Sequence, residues 1–95
     1  MFDELDPLLH SQLRLAVMSL LIGVEEAEFN FLKDKTGATA GNLSVQVHKL
    51  ADADYLSIEK SFRNNFPLTI CRITPKGIAA FERYVETLKQ YIDPK

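Results

Sequence analysis

Two helical segments separated by a short glycine-containing turn occupy the middle of this 95-residue chain. The first segment carries Phe29 and Leu32 and meets Gly37, a residue type that commonly ends helices. The second opens at Thr39, whose hydroxyl can accept a hydrogen bond from an unpaired backbone N–H of a new helix. Apolar residues then recur at helical spacing, at Leu43, Val47, Leu50 and Ala51. The pattern predicts a helix-turn-helix at about residues 27–54.

The outward face of the second helix carries side chains suited to reading DNA bases. Asn42, Val45, Gln46 and Lys49 are spaced at steps of three and four and therefore share one stripe. Asn and Gln can make bidentate contacts to adenine, Val can touch a thymine methyl group, and Lys can reach guanine or phosphate. The alternative reading is an ordinary solvated helix face.

The TG…GNLS…V.KL…YL run is followed by a strand, a polar hairpin, a second strand and ITPKG. In this order the elements resemble the small winged-helix transcriptional regulators of the MarR/ArsR type, over roughly residues 8–92. The resemblance implies one domain, 1–95, that is mainly α with a small β-hairpin wing (α+β), in the order α-(short β)-α-α-β-β-α. It also implies that the partner is double-stranded DNA.

The resemblance places the first helix of the motif across the sugar-phosphate backbone, so Lys33 and Lys35 become phosphate contacts. As a competing structural role, both lysines could instead stabilise the negative, C-terminal end of the helix dipole. Small residues at the start of the second helix would allow a close approach to the duplex. The complete set of predicted DNA contacts is Lys33, Lys35, Thr39, Ala40, Gly41, Asn42, Val45, Gln46, Lys49, Lys60 and Arg63.

The wing is predicted at about residues 55–73. Leu56, Ile58 and Phe62 alternate onto one side of its first strand, and Asn64-Asn65 provides a turn because Asn tolerates positive φ. Two features depart from the resembled family. Asp54 stands where relatives usually have glycine, and the wing tip contains fewer arginines than theirs, with Arg63 the best candidate for a DNA contact.

The two ends of the chain are predicted to be helical. Asp6-Pro7 is a helix-start signal, and Ser11 offers a second start if the helix breaks near His10. Thr74-Pro75 starts the last helix, predicted at about 75–92, whose apolar residues repeat with heptad spacing. That seam predicts pairing with a second copy of the chain, against the alternative of packing on the first helix alone. The predicted dimerisation residues are Leu5, Leu8, Leu9, Phe81, Tyr84, Val85, Leu88, Tyr91 and Ile92.

The formal net charge of −2 is unevenly distributed along the chain. Residues 1–32 carry −5, whereas residues 33–76 carry seven Lys or Arg against four Asp or Glu, or +3. The basic excess therefore lies on the half predicted to contact DNA, and its modest size predicts salt-sensitive binding.

The sequence gives little support for a metal site, for enzyme activity or for a membrane span. His10 and His48 lack partners at metal-ligand spacing, so we expect no metal or cofactor. No nucleophile–base pattern or phosphate-binding loop indicates an enzyme, so we expect no catalytic residues. The lone Cys71 is expected to be packed, with redox sensing as the alternative, and it fits a reducing cytoplasm. The longest apolar run is too short for a membrane span, and the acidic start does not resemble a signal peptide.

The sequence thus supports a homodimeric regulator, most commonly a repressor, that reads an inverted repeat with the second helix of the motif. A small-molecule effector is compatible with this hypothesis, but the residues do not identify one. The rival hypothesis is a winged helix used for protein–protein assembly without specific DNA binding. The negative net charge of the chain and the small number of arginines in the wing favour that rival.

Overall fold

The computed structural model describes residues 2–94; Met1 and Lys95, the two ends of the predicted 1–95 domain, lie outside the described residues. The elements are α1 (Gln12–Val24), β1 (Glu26–Glu28), α2 (Phe29–Thr36), α3 (Ala40–Asp52), β2 (Leu56–Arg63), β3 (Phe66–Ile73) and α4 (Pro75–Ile92). The predicted element order, including the short strand before the helix-turn-helix, is confirmed.

The predicted helix ends are formed by local hydrogen bonds. Gly37 adopts a left-handed conformation with φ of 71° directly after α2. The Thr39 hydroxyl accepts from the backbone N–H of Asn42 at 3.2 Å and so caps α3. The turn between α2 and α3 is therefore fixed from both sides. Thr74 caps α4 in the same way, through the N–H of Gly77 at 2.9 Å, with Pro75 in the first turn.

The prediction that the first helix begins at Asp6-Pro7 is wrong, and the alternative start at Ser11 is correct. Asp6 caps only a single turn, since its backbone oxygen accepts from the N–H groups of Leu9 and His10. Ser11 is extended, with φ of −151° and ψ of 129°, and this interrupts the helical path before Gln12. The interruption allows Leu9 to enter the core, where it is fully buried.

The three strands form an antiparallel sheet in the order β1-β3-β2. Ala27 lies opposite Cys71, and Leu56 lies opposite Ile73. β2 and β3 are joined at Asn64-Asn65, where φ is 51° and 68°, as the turn chemistry predicts. Asp54 adopts φ of 64° before β2, so the residue that replaces the expected glycine accepts the left-handed conformation.

The core lies between the helices and the inner face of the sheet. α1 contacts the three other helices as well as β1 and β3, and so occupies the centre of the packing. The buried apolar side chains are Leu9, Val17, Met18, Leu21, Leu32, Leu43, Val47, Leu50, Leu56, Cys71, Ile73 and Tyr84.

Phe62 lies on the same side of β2 as Leu56 and Ile58, as the alternation predicts, but the core does not cover it. Its side chain is 74% exposed, because the hairpin extends beyond the helices that cover the start of the strand. Phe66, on the other side of the turn, is 73% exposed. The wing tip therefore presents two aromatic rings to solvent.

Candidate nucleic-acid interface

α3 separates its apolar and polar residues into two faces. Leu43, Val47 and Leu50 are buried against the rest of the chain. Asn42, Val45 and Lys49 are exposed, and Gln46 is half-buried at the edge of the same outward stripe. Ala40 and Gly41 are also exposed at the beginning of the helix, immediately after the cap at Thr39. The residues predicted to read bases are thus brought together on one accessible surface.

The two lysines of α2 lie in its last turn, just before the turn into α3. Lys35 is exposed, and its Nζ lies 5.7 Å from the centroid of the Phe31 ring. Lys33 is half-buried. Both cations therefore stand beside the start of α3, where a phosphate backbone would pass if that helix entered a groove.

Arg14 of α1 is a residue of this surface that the sequence did not reveal. Its Nη1 donates to Oε1 of Gln46 at 2.5 Å, and its Nε donates to the backbone oxygen of Leu8 at 2.6 Å. The amide nitrogen of Gln46 in turn donates to Oδ1 of Asn42 at 3.1 Å. The available signal was that Arg14 is the only Lys or Arg among residues 1–32 and interrupts an apolar stripe.

The two predicted wing contacts lie on opposite faces of the hairpin. Lys60 pairs with Thr69 across the strands and lines a cleft together with Ser44 and His48 of α3. Arg63 projects from the other face, where its guanidinium forms an exposed ion pair with Glu28 at 3.2 Å. Lys60 is therefore near α3, and the guanidinium of Arg63 is paired with the carboxylate of Glu28.

Arg72 is similarly occupied on the outer face of the sheet. It forms ion pairs with Glu26 at 2.8 Å and with Glu59 at 3.7 Å. The hydrogen bond and the negative charge of Glu26 raise the pKa of Arg72 above its usual value. By strand alternation Arg72 faces away from Lys60, so it does not belong to the surface formed around α3.

A family model described as a winged helix DNA-binding domain matches residues 13–92. The chain belongs to that winged helix family. The family is one of DNA-binding proteins rather than of enzymes, and the match spans all four helices and the wing.

Three proteins illustrate the similarity. An uncharacterized protein of Methanocaldococcus jannaschii is 37% identical over 81 residues, which span 85% of this chain and 88% of that protein. A transcriptional regulator homologue from Pyrococcus horikoshii has a TM-score of 0.85 at 27% identity, covering 90% of this chain and 85% of the other. An ArsR family transcriptional regulator has a TM-score of 0.60 at 17% identity, covering 93% and 86% respectively, and shows the same fold.

The residues predicted to form the dimer contact are buried, half-buried or exposed in the single chain. Leu9 and Tyr84 lie in the core of the single chain, where Tyr84 Oη is 3.0 Å from Nδ1 of His10. Their burial removes both residues from any outward apolar surface. Half-buried positions are Leu5, Leu8, Phe81 and Leu88, and exposed positions are Val85, Tyr91 and Ile92.

The N-terminal segment is attached to the far end of α4. Asp3 exchanges two hydrogen bonds with the side chain of Gln90, at 2.8 and 2.9 Å. The hydroxyl of Tyr91 donates to the backbone oxygen of Asp3 at 2.5 Å, and the rings of Phe2 and Tyr91 are 4.9 Å apart. The acidic first segment therefore covers one side of α4, next to the exposed Ile92.

The remaining reactive groups are held inside local structure. Burial raises the pKa of the Cys71 thiol to about 11, which leaves the reactive thiolate scarce near neutral pH. Nδ1 of His48 lies 2.7 Å from the backbone oxygen of Ser44. Within residues 2–94 no group of three His, Cys, Asp or Glu side chains is arranged to hold a metal ion. Over the same residues, no helix has the length and apolar character needed to cross a membrane.

Proposed function

We propose that this winged helix protein is a homodimeric, sequence-specific transcriptional repressor that reads an inverted repeat with α3 in the major groove. The supporting observation is the division of α3 into two faces. Leu43, Val47 and Leu50 hold the helix to the core, while Asn42 and Lys49 point away from it. The helix can therefore enter a groove without loss of any core contact.

The charge distribution supports the same orientation on DNA. Residues 33–76 carry a net +3, and this stretch contains the second half of α2, all of α3 and the wing. Lys33 and Lys35 are placed to contact phosphates on one side of α3, and Lys60 on the wing side. Such contacts fix the position of the helix on the duplex without specifying sequence.

Arg63 requires a rearrangement before it can touch DNA. Its ion pair with Glu28 is exposed at both partners, and pairs of this kind contribute only about 0–1 kcal/mol. Exchange of Glu28 for a backbone phosphate therefore costs little. We assign Arg63 a backbone contact and assign the reading of bases to α3.

The dimer would form through α4. Val85 and Ile92 are exposed one heptad apart on this helix, Ile92 at 72%, and the half-buried Leu88 lies between them. The radius of gyration is 14.3 Å, larger than the roughly 12 Å of a compact domain of this length. An elongated chain with an apolar helix at its surface is suited to pairing with a copy of itself.

Two paired protomers would place their reading helices about one DNA turn apart, roughly 34–36 Å. Occupation of an inverted repeat within a promoter would exclude polymerase, which accounts for the assignment as a repressor. The protein would act in the cytoplasm, where the DNA is.

The deciding experiment selects duplex DNA from a random pool with the purified protein at several salt concentrations. We expect enrichment of a two-fold-symmetric motif. Lys49→Ala should reduce affinity for that motif more than tenfold, since a dimer loses two base contacts worth about 1–3 kcal/mol each. Arg83→Ala, which removes an exposed cation from the side of α4 away from Val85 and Ile92, is the matched control and should bind normally. Equal affinity of both variants would contradict the placement of α3.

One observation favours protein–protein assembly as the second candidate function. The wing tip exposes Phe62 on one face of the hairpin and Phe66 on the other, and exposed apolar surface can mark a protein contact. Salt dependence separates the two functions, because neutralised phosphates release counterions whereas an apolar contact does not. Failure to enrich any sequence even at low salt would favour the second candidate.

A further inference from the structure

The side chains of Arg14, Gln46 and Asn42 form a continuous chain of hydrogen bonds from α1 to the outward face of α3. Arg14 is held at two points, by the backbone oxygen of Leu8 at 2.6 Å and by Oε1 of Gln46 at 2.5 Å. Both Arg14 and Gln46 are half-buried. The guanidinium is thus fixed by the fold rather than free to search for a phosphate.

The chemistry of arginine fixes the orientation of both amides. A guanidinium has donors only, so the Gln46 atom that faces Arg14 must be the carbonyl oxygen. The other polar atom of the Gln46 amide is therefore its nitrogen, and this nitrogen donates to Oδ1 of Asn42 at 3.1 Å. The nitrogen of Asn42 is consequently directed away from Gln46.

A bidentate contact to adenine requires the oxygen and the nitrogen of one amide side by side on the base edge. Gln46 uses one oxygen lone pair for Arg14 and one N–H for Asn42, so it can offer its second lone pair and second N–H only in the amide orientation that these two bonds hold. The oxygen of Asn42 is engaged by Gln46. Both amide oxygens thus already accept one hydrogen bond, whereas the second N–H of Gln46, the amide NH₂ of Asn42 and the ammonium group of Lys49 remain available. All three are hydrogen-bond donors.

We infer that Arg14 is a positioning residue that determines sequence specificity by engaging the amide oxygen of Gln46 and so biasing the reading face of α3 toward hydrogen-bond donors. This inference rests on the proposed function. In the major groove, guanine offers acceptors at N7 and O6 and thymine offers O4, whereas adenine pairs its N7 acceptor with the N6 amino donor and cytosine offers the N4 amino donor. The half-site contacted by Gln46 and Asn42 is therefore rich in guanine and thymine edges. The earlier expectation that both amides read adenine is replaced by this one.

The test compares random-pool selection by the wild type, Arg14→Met, Arg14→Lys, Gln46→Ala and the Arg14→Met/Gln46→Ala double variant. Met keeps the length of the stem but removes every donor, so it frees Gln46 to pair with adenine. We expect the preference for adenine over guanine at the Gln46-contacted base to rise about tenfold in Arg14→Met. Arg14→Lys keeps a donor toward Oε1 and should retain the wild-type preference. In the Gln46→Ala background, Arg14→Met should have no further effect.

A second measurement does not depend on DNA. The side-chain amide NH₂ resonances of Gln46 in the free protein should shift in Arg14→Met and remain near the wild-type position in Arg14→Lys. Thermal unfolding of each variant identifies any that fail to fold, in which case the comparison of wild type with Arg14→Lys and Gln46→Ala decides.

The possible failures are distinguishable. If the wild type selects no motif, the proposed function fails and the specificity inference fails with it. If the wild type and a folded Arg14→Met variant select the same motif with the same base preferences, only the role of Arg14 is overturned. Unchanged Gln46 resonances in Arg14→Met would overturn it as well.

Discussion

Gly77 in the first turn of α4 packs directly against the backbone carbonyl of Tyr55, the residue that precedes β2. A Cβ at position 77 would overlap the carbonyl oxygen of Tyr55 and would lie 2.9 Å from its carbonyl carbon. Both contacts are with backbone, which cannot swing away as a side chain would. Gly77→Ala should therefore lower the free energy of unfolding by about 2 kcal/mol or more, measured by denaturant titration.

Gly23→Ala is the matched control for that substitution. Gly23 lies in the last turn of α1, and an added Cβ would meet nothing within 4 Å. We expect it to raise stability by roughly 0.4–1 kcal/mol, because alanine restricts the unfolded chain and favours the helix. If Gly77→Ala were as stable as Gly23→Ala, the close approach between α4 and Tyr55 would be wrong.

Gly41→Ala should separate folding from DNA binding. Gly41 is exposed in the first turn of α3, and a Cβ there meets nothing within 4 Å, so stability should rise as it does for Gly23→Ala. Affinity for the selected duplex should fall, because the methyl group would stand between the helix and the groove. Circular dichroism melting and fluorescence anisotropy measure the two effects. A variant that is both more stable and fully active would remove Gly41 from the interface.

Local signals in the sequence were sufficient to predict most of the fold. The caps at Gly37, Thr39 and Thr74 are made with residues only three or four positions away. The helix boundaries could therefore be predicted from cap and turn residues alone. The start of α1 was ambiguous because Asp6 and Ser11 both resemble caps. The choice depends on tertiary packing, since Asp6 is held by the hydroxyl of Tyr55 at 2.5 Å, 49 residues away.

The candidate interface was less predictable for the same reason. The outward stripe of α3 follows from helical spacing alone, whereas the bond from Arg14 to Gln46 joins residues 32 positions apart. The exposure of Phe62 depends on how far the hairpin extends past the helices. Alternation predicts which side of a strand a residue takes but not what covers that side.

Tyr55 should make stability depend on alkaline pH. Burial, followed by the hydrogen bond and the charge of Asp6, raises the pKa of Tyr55 from 10.0 to about 12. The folded protein therefore holds this proton more tightly than the unfolded chain does. The resulting stabilisation is fully present below pH 10 and is lost as the pH rises to about 12.

The measurement is chemical denaturation at a series of pH values for the wild type and Tyr55→Phe. Because lysines also titrate in this range, the informative quantity is the difference between the two proteins. The wild type should lose stability more steeply than Tyr55→Phe between pH 10 and 12. Parallel pH profiles would show that Tyr55 is not held by Asp6 in solution.

Lys35 allows a phosphate contact to be distinguished from a helix-dipole contact. Each neutralised phosphate adds about −0.9 to the slope of log K against log salt, and a dimer contains two copies of Lys35. Lys35→Ala should therefore reduce the magnitude of that slope by about 2. Arg83→Ala, in which the lost cation lies on the side of α4 away from Val85 and Ile92, should leave the slope unchanged. An unchanged slope in Lys35→Ala would indicate that the lysine serves only the end of α2.

The proposed dimer makes a prediction that is independent of DNA sequence. Val85→Asp/Ile92→Asp places two carboxylates on the exposed apolar side of α4, at positions with little role in the core of the single chain. Burial of unpaired charges in an interface is costly, so the double variant should sediment as a monomer and bind the inverted repeat weakly, with an unchanged helix content. Val24→Asp introduces a carboxylate at another exposed valine, at the end of α1, and should remain dimeric. A double variant that stays dimeric would place the contact between protomers somewhere other than α4, and the spacing of the reading helices would have to be set by another surface.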